Sequence, residues 1–184
     1  EALNPTYIFL PKPDFVATMT DKLEMSIQFL KNNLGVPATT LAINEISRFR
    51  FPVIIKPRWG RGSRNIFEIA TPEKFHHFRL ALDGNLADWV VQEKIDGDEF
   101  TVQVIAAPDS SLTAILPIQV FEKRGSTVSA ELRFDQAIHD YCSQIHAIFR
   151  PEGSYNVQLI KDDAGRIFCF EINSLFMFNA SLKL

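Results

Sequence analysis

Apolar residues recur along this chain in two rhythms, one helical and one alternating, and they divide it into helices and strands. At helical spacing, Leu23, Ile27, Leu30 and Leu34 form a stripe that starts after Thr20, read as the N-cap, and stops at Gly35. Thr71 and Pro72 open a second helix through Leu82 with Phe75, Phe78 and Leu82 apolar. Asp135 opens a third through Phe149, with Ile138, Tyr141, Cys142, Ile145 and Ile148 on its apolar side. Extended stretches lie at VPATTLA, at residues 53–56 and 66–69, and at WVVQEKI, DEFTVQVIAA and SLTAILPIQVFEK. A short helical segment is expected at residues 44–49, and YNVQLIKDDAGRIFCFEIN reads as two strands about a DDAG turn. Residues 1–15 hold three prolines and no helical period, so they read as an extended linker arriving from an N-terminal domain not included here. Helices segregated against antiparallel strands predict an α+β fold of two lobes with a cleft between them.

Composition narrows the function without choosing it. At 184 residues the chain can bury one sizeable core or two small lobes, and its net charge of −3 provides no general attraction to nucleic acid or anionic membrane. No stretch approaches the ~20 apolar residues of a membrane span. Cys142 and Cys169 are too few for a disulfide framework or zinc site and read as buried free thiols of a cytoplasmic protein. His76, His77, His139 and His146 fall on helices and form no motif.

The first candidate chemistry lies in FPVIIKPRWGRGSRNIFEIA. An apolar strand delivers Lys56 into a loop where Gly60 and Gly62 allow backbone amides to approach an anion closely, with Ser63 beside them. Arg58, Arg61 and Arg64 add charge. The lysine precedes the glycines, so this is not the GxxxxGK[ST] phosphate loop. A hairpin turn with solvated arginines is the competing reading.

The second lies in IFCFEIN. Strand alternation puts Phe168, Phe170 and Ile172 on one face and Cys169, Glu171 and Asn173 on the other. A carboxylate and an amide oxygen two residues apart suit Mg²⁺, or Mn²⁺, which takes one or two protein oxygens and completes its shell with phosphates. In the preceding strand Val157 and Leu159 face the core, while Asn156 and Gln158 face the Glu171 side. A two- or four-residue loop at DDAGR would set Gln158 opposite Glu171; a three-residue loop would separate them unless a bulge restored the phase. The competing reading is the exposed face of an edge hairpin. A third segment, Gln92-Glu93-Lys94-Ile95, could read a purine edge with its backbone, and Glu99 follows where a ribose hydroxyl could meet it. A solvated charged turn would look the same.

Taken in order, Asp21-Lys22 at the head of a helix, IIKPRWGRGS, VVQEKIDGDEF and NVQLI…FCFEIN resemble the ATP-grasp superfamily, and most closely the ATP-binding domains of the carbamoyl-phosphate synthetase large chain. The resemblance covers roughly residues 18–176. It implies an ATP-grasp domain over residues 16–184, with a smaller Gly-rich-loop lobe at about 36–91 and ATP in the cleft. Lys22 and Lys56 would be the two basic phosphate-binding residues, Glu93, Lys94 and Ile95 the adenine-binding hinge, and Glu99 the ribose-binding acid. Gln158, Glu171 and Asn173 would be the metal set, with glutamine in the first position as in carbamoyl-phosphate synthetase.

The implied activity is an ATP- and Mg²⁺-dependent ligase that activates a carboxylate or bicarbonate as an acyl phosphate for attack by an amine or other nucleophile. Lys56, Glu171 and Asn173 would serve the transfer itself. One departure stands out: the family usually reads Glu-x-Asn-Pro-Arg, whereas Asn173 is followed by Ser174-Leu175-Phe176. A degenerate, non-catalytic nucleotide-binding domain is therefore the alternative.

Overall fold

The computed structural model describes residues 10–44, 46–60, 65–82, 85–124 and 126–174, with backbone alone at 124, 126 and 127. Its helices are α1 (Pro13–Thr20), α2 (Lys22–Lys31), α3 (Pro72–Ala81) and α4 (Gln136–Phe149). Its strands are β1 (Thr39–Leu41), β2 (Val53–Pro57), β3 (Phe67–Ile69), β4 (Trp89–Glu93), β5 (Asp98–Ala106), β6 (Leu112–Arg124), β7 (Ser126–Leu132), β8 (Gly153–Lys161) and β9 (Ile167–Asn173). Among the described residues the strands form two antiparallel sheets, ordered β1-β4-β2-β3 and β7-β6-β5-β8-β9.

Alternation decides which face of each sheet is covered. In the larger sheet Phe100, Val102 and Val104 of β5 and Tyr155, Val157 and Leu159 of β8 pack against Phe15, Met19, Met25, Phe29, Ile138, Tyr141 and Ile145 of the helices. Phe15 meets Tyr155 edge-on at 5.3 Å and Phe29 stacks on Phe149 at 5.8 Å. Each such aromatic contributes about 1.5–3 kcal/mol by leaving water. The smaller sheet rests on its own core of Val53, Ile55, Ile69, Phe75 and Val91. The opposite faces of the two sheets hold the polar residues, and α2, which packs on both β9 and β1, joins them.

The helix caps follow the sequence at two ends: Thr71 accepts from Lys74 N at 3.3 Å and Asp135 accepts from Ile138 N at 3.2 Å. The first helical stretch departs from expectation. The extended run gives way to α1 at Pro13, with Phe15 and Met19 buried, and Asp21 rather than Thr20 caps α2. The buried face of α2 is Lys22, Met25, Ser26 and Phe29, while Ile27 and Leu30 are exposed; the long side chains at the core of this helix are Met and Phe. Gly35 does not cap α2, since the helix ends at Asn32 and the left-handed turn falls on Asn33. Residues 46–49 form a turn rather than a helix, Ile148 is exposed, and β7 was not foreseen.

Candidate functional site

Lys56 lies on β2 with Ile54, on the face away from the small core, and reaches toward the large sheet. It is 4% exposed, and its Nζ donates to the Phe170 carbonyl at 3.1 Å and sits 5.2 Å from the centre of the Phe170 ring. Burial pushes the ammonium down to about 8; Glu171 opposes that shift, and the nearby Lys22 and Lys123 add to it. Among the described residues no carboxylate forms an ion pair with this ammonium, which is thereby held ready for an anion.

The open face of the large sheet is built in rungs. Thr101, Gln158 and Glu171 lie side by side across β5, β8 and β9, and Gln103, Asn156 and Asn173 form the next rung. Gln158 faces Glu171 because of a bulge. The loop at residues 162–166 has an odd length, which would set Gln158 against Phe170; Phe170 drops out of the ladder and Glu171 takes its place. The bulge also corrects the expected strand faces: Cys169 and Ile172 both enter the core, and Phe170 turns to the site. The expected union of Gln158, Glu171 and Asn173 on one face is what the structure places, by the bulge rather than by loop length.

Asp21 and Lys22 begin α2 beside the stem of the Gly-rich loop. Lys22 is buried, its N–H donates to the Arg58 carbonyl at 3.1 Å, and its Nζ donates to the Gly60 carbonyl at 3.0 Å. Gly60 has φ +140°, a conformation that side chains rarely adopt, which lets the chain leave β2 at this contact. Gly62 and Ser63, with Arg61 and Arg64, lie outside the described residues. A small cleft, open to solvent, is lined by Met19, Thr20, Lys22, Gly60, Glu171, Ile172, Asn173 and Ser174. It thus brings together residues from three separate segments of the chain.

The remaining candidates stand along the sheets. Glu93 Oε1 accepts from Arg50 N at 2.9 Å, and Lys94 pairs with Glu68 at 3.0 Å. The Glu93 and Lys94 N–H groups are engaged by the Ala38 and Pro52 carbonyls, so a ligand there would meet their carbonyls and the chain from Ile95 onward. Glu99 is ion-paired with Lys123. Sequence reasoning takes Arg58 only as added charge and Asp21 only as the helix head beside Lys22, and it misses Lys123 and Phe170, which are aimed by bulges. Cys142 and Cys169 are free and buried, and burial pushes both thiols up, so neither is a nucleophile at neutral pH.

Among the described residues no three His, Cys, Asp or Glu side chains cluster, which leaves one carboxylate with amide oxygens. In the neighbouring rung Asn156 Oδ1 is buried without a hydrogen-bond partner among the described residues. Such oxygens fit Mg²⁺ or Mn²⁺ shared with phosphates and do not fit a self-sufficient protein cage.

Solved structures share the fold. The carboxyaminoimidazole ribonucleotide synthase of Aspergillus clavatus, in complex with ATP, matches at TM-score 0.73 and 13% identity over 88% of this chain and 46% of its own. The biotin carboxylase domain of Hydrogenobacter thermophilus 2-oxoglutarate carboxylase, in complex with MgADP, ADP and bicarbonate, matches at 0.75 and 13% over 93% and 43%. The D-alanine–D-alanine ligase of Bacillus anthracis matches at 0.64 and 16% over 86% and 57%. The chain thus spans less than half the length of the first two. No curated protein matches it in sequence. The family model of the ATP-grasp domain matches residues 19–177, and the chain belongs to that family.

Proposed function

We propose that the chain is the ATP-binding domain of an ATP-dependent ligase that activates a carboxylate or bicarbonate for attack by an amine, in the manner of carbamoyl-phosphate synthetase. The observation that carries this is the cleft where Lys22 and Gly60 face Glu171 and Asn173, with Lys56 anchored beside it. The triphosphate would lie between the lysines and the oxygen rung, its purine toward the edge beyond Lys94 and its ribose hydroxyls donating to Glu99. A carboxylate oxygen of the acceptor would attack the γ-phosphorus as the β–γ bridging bond breaks, giving an acyl phosphate and ADP; the amine would then displace phosphate. Lys22 and Lys56 offset the phosphate charge, and the protein around them excludes water. Glu171, Asn173 and Gln158 would hold Mg²⁺, which when bound neutralises charge on the β- and γ-oxygens. One solved neighbour is in complex with bicarbonate and another is a D-alanine–D-alanine ligase, so the shared fold leaves the acceptor open. No described helix is long and apolar enough to cross a membrane, and the buried free thiols suit the reducing cytoplasm we assign to it.

The test is calorimetric ATP binding at titrated Mg²⁺, followed by phosphate release across a panel of bicarbonate, amino acids and peptides. Mg²⁺-dependent binding with acceptor-stimulated release is the expected result. Binding without release for any acceptor would favour the non-catalytic domain suggested by Ser174-Leu175-Phe176 after Asn173. Absence of Mg²⁺-dependent ATP binding would sink both.

A further inference from the structure

Lys22 rests at both of its ends on residues 58–60. Its N–H donates to the Arg58 carbonyl at 3.1 Å and its Nζ to the Gly60 carbonyl at 3.0 Å. That short segment is in turn fixed from the small sheet, because the Arg58 N–H donates at 2.7 Å to the carbonyl of Asp88, the residue before β4. The Asp21 carboxylate closes the ring. It takes Nε and Nη2 of Arg58 along one edge of the guanidinium while capping α2, whose Met25 and Phe29 lie in the core of the large sheet. One ion pair therefore joins the helix that packs into the large core to the strand that leaves the small one, and Lys22 sits at the joint.

Charge alone gives no reason for Asp21 here. An acid one residue from a lysine that faces a polyphosphate repels the ligand, and once paired with Arg58 it leaves no net charge to offer. Geometry does give a reason. Lys22 carries a long flexible stem, and holding its ammonium in one place costs rotamer freedom at each binding event unless its position is settled beforehand. The fork of an arginine on a carboxylate fixes both distance and angle, which a lysine in its place could not do. From this arrangement we infer that Asp21 and Arg58 are positioning residues of the nucleotide site, which seat Lys22 against Gly60 for the phosphates and make no contact with the nucleotide themselves. The arginine that the sequence offers as added charge is thus engaged in placing another cation. This rests on the nucleotide reading proposed above.

Positioning and simple electrostatics predict opposite results. Affinities of D21N, R58K, K22M, D21N/K22M and R58K/K22M for ATP, ADP and adenosine are to be measured by calorimetry with Mg²⁺, alongside thermal melting. Asparagine caps a helix about as well as aspartate, and R58K keeps the charge, so neither change is a gross disruption. Were charge all that mattered, D21N would bind ATP more tightly and R58K would match the wild type. Positioning predicts that each loses about threefold to tenfold in ATP and ADP affinity, keeps its adenosine affinity, and loses nothing further once Lys22 is replaced. Tighter or unchanged ATP binding in D21N, full affinity in R58K, an equal loss for adenosine, or losses that persist in the K22M background would each overturn the inference while leaving the nucleotide reading intact. A wild-type chain that binds no ATP overturns both.

Discussion

Asp21 grips Arg58 through three hydrogen bonds, with Nε donating to Oδ1 and Oδ2 at 2.9 Å each and Nη2 donating to Oδ2 at 2.7 Å. The same Oδ1 accepts from the Leu23 and Glu24 N–H groups, so one carboxylate caps α2 and ties the stem of the Gly-rich loop to it. Arg58 stacks on Trp59 at 4.5 Å, which gives the guanidinium a second fixed side. D21A should therefore lower unfolding free energy by about 2–3 kcal/mol, the lost cap and the partly buried orphan guanidinium together, and D21N by less. Urea denaturation reads this. Burial alone would push the Asp21 carboxyl up, but Arg58 and the two N–H donors outweigh it and hold it below its ordinary value. Its contribution is present above the unfolded-state value and fades as pH falls through the lower folded one.

Lys56 gives a pH dependence of opposite form. Its folded value of about 8 lies below the ordinary 10.5, so between these values the unfolded chain binds more protons. Stability should therefore rise with pH from about 8 toward 10.5, and K56M should abolish that rise in thermal melts. Nucleotide affinity should move the other way, falling above pH 8 as the buried ammonium loses its charge, and K56M should weaken ATP binding roughly ten- to hundredfold below that pH.

Glu171 stands on the open face of the sheet, while its neighbours Cys169 and Ile172 fill the core. E171Q should accordingly keep the melting temperature within a few degrees. Phosphoryl transfer should fall steeply and need more Mg²⁺ to recover in part. Normal turnover of E171Q at limiting Mg²⁺ would remove Glu171 from the metal set.

Gly35 is held by packing rather than by turn geometry. A Cβ there would stand 2.0 Å from the Ile167 carbonyl oxygen, and its own carbonyl accepts from Cys169 N at 3.0 Å and from the Tyr141 hydroxyl. Backbone against backbone cannot yield cheaply, so G35A should destabilise by about 1–3 kcal/mol or more and shift the β9 signals in amide spectra.

Much of this protein is legible in one dimension because its signals are local. Thr71-Pro72 and Asp135 announce helices through the caps they supply, and alternation in DEFTVQVIAA and YNVQLI already assigns Val102, Val104, Val157 and Leu159 to the core. Lys56, Glu171, Asn173 and Gln158 stand out as polar groups where a buried or half-buried strand has no packing use for them. What the chain alone left open depends on partners distant in sequence. The apolar face of α2 was chosen by where β9 and β1 lie, so Met25 and Phe29 are inside and Leu30 is not. The facing of Gln158 and Glu171, and the turning of Lys123 toward Glu99, hang on residues that drop out of a ladder. A bulge changes the phase of every side chain after it, and only the pairing of two strands shows where one has formed.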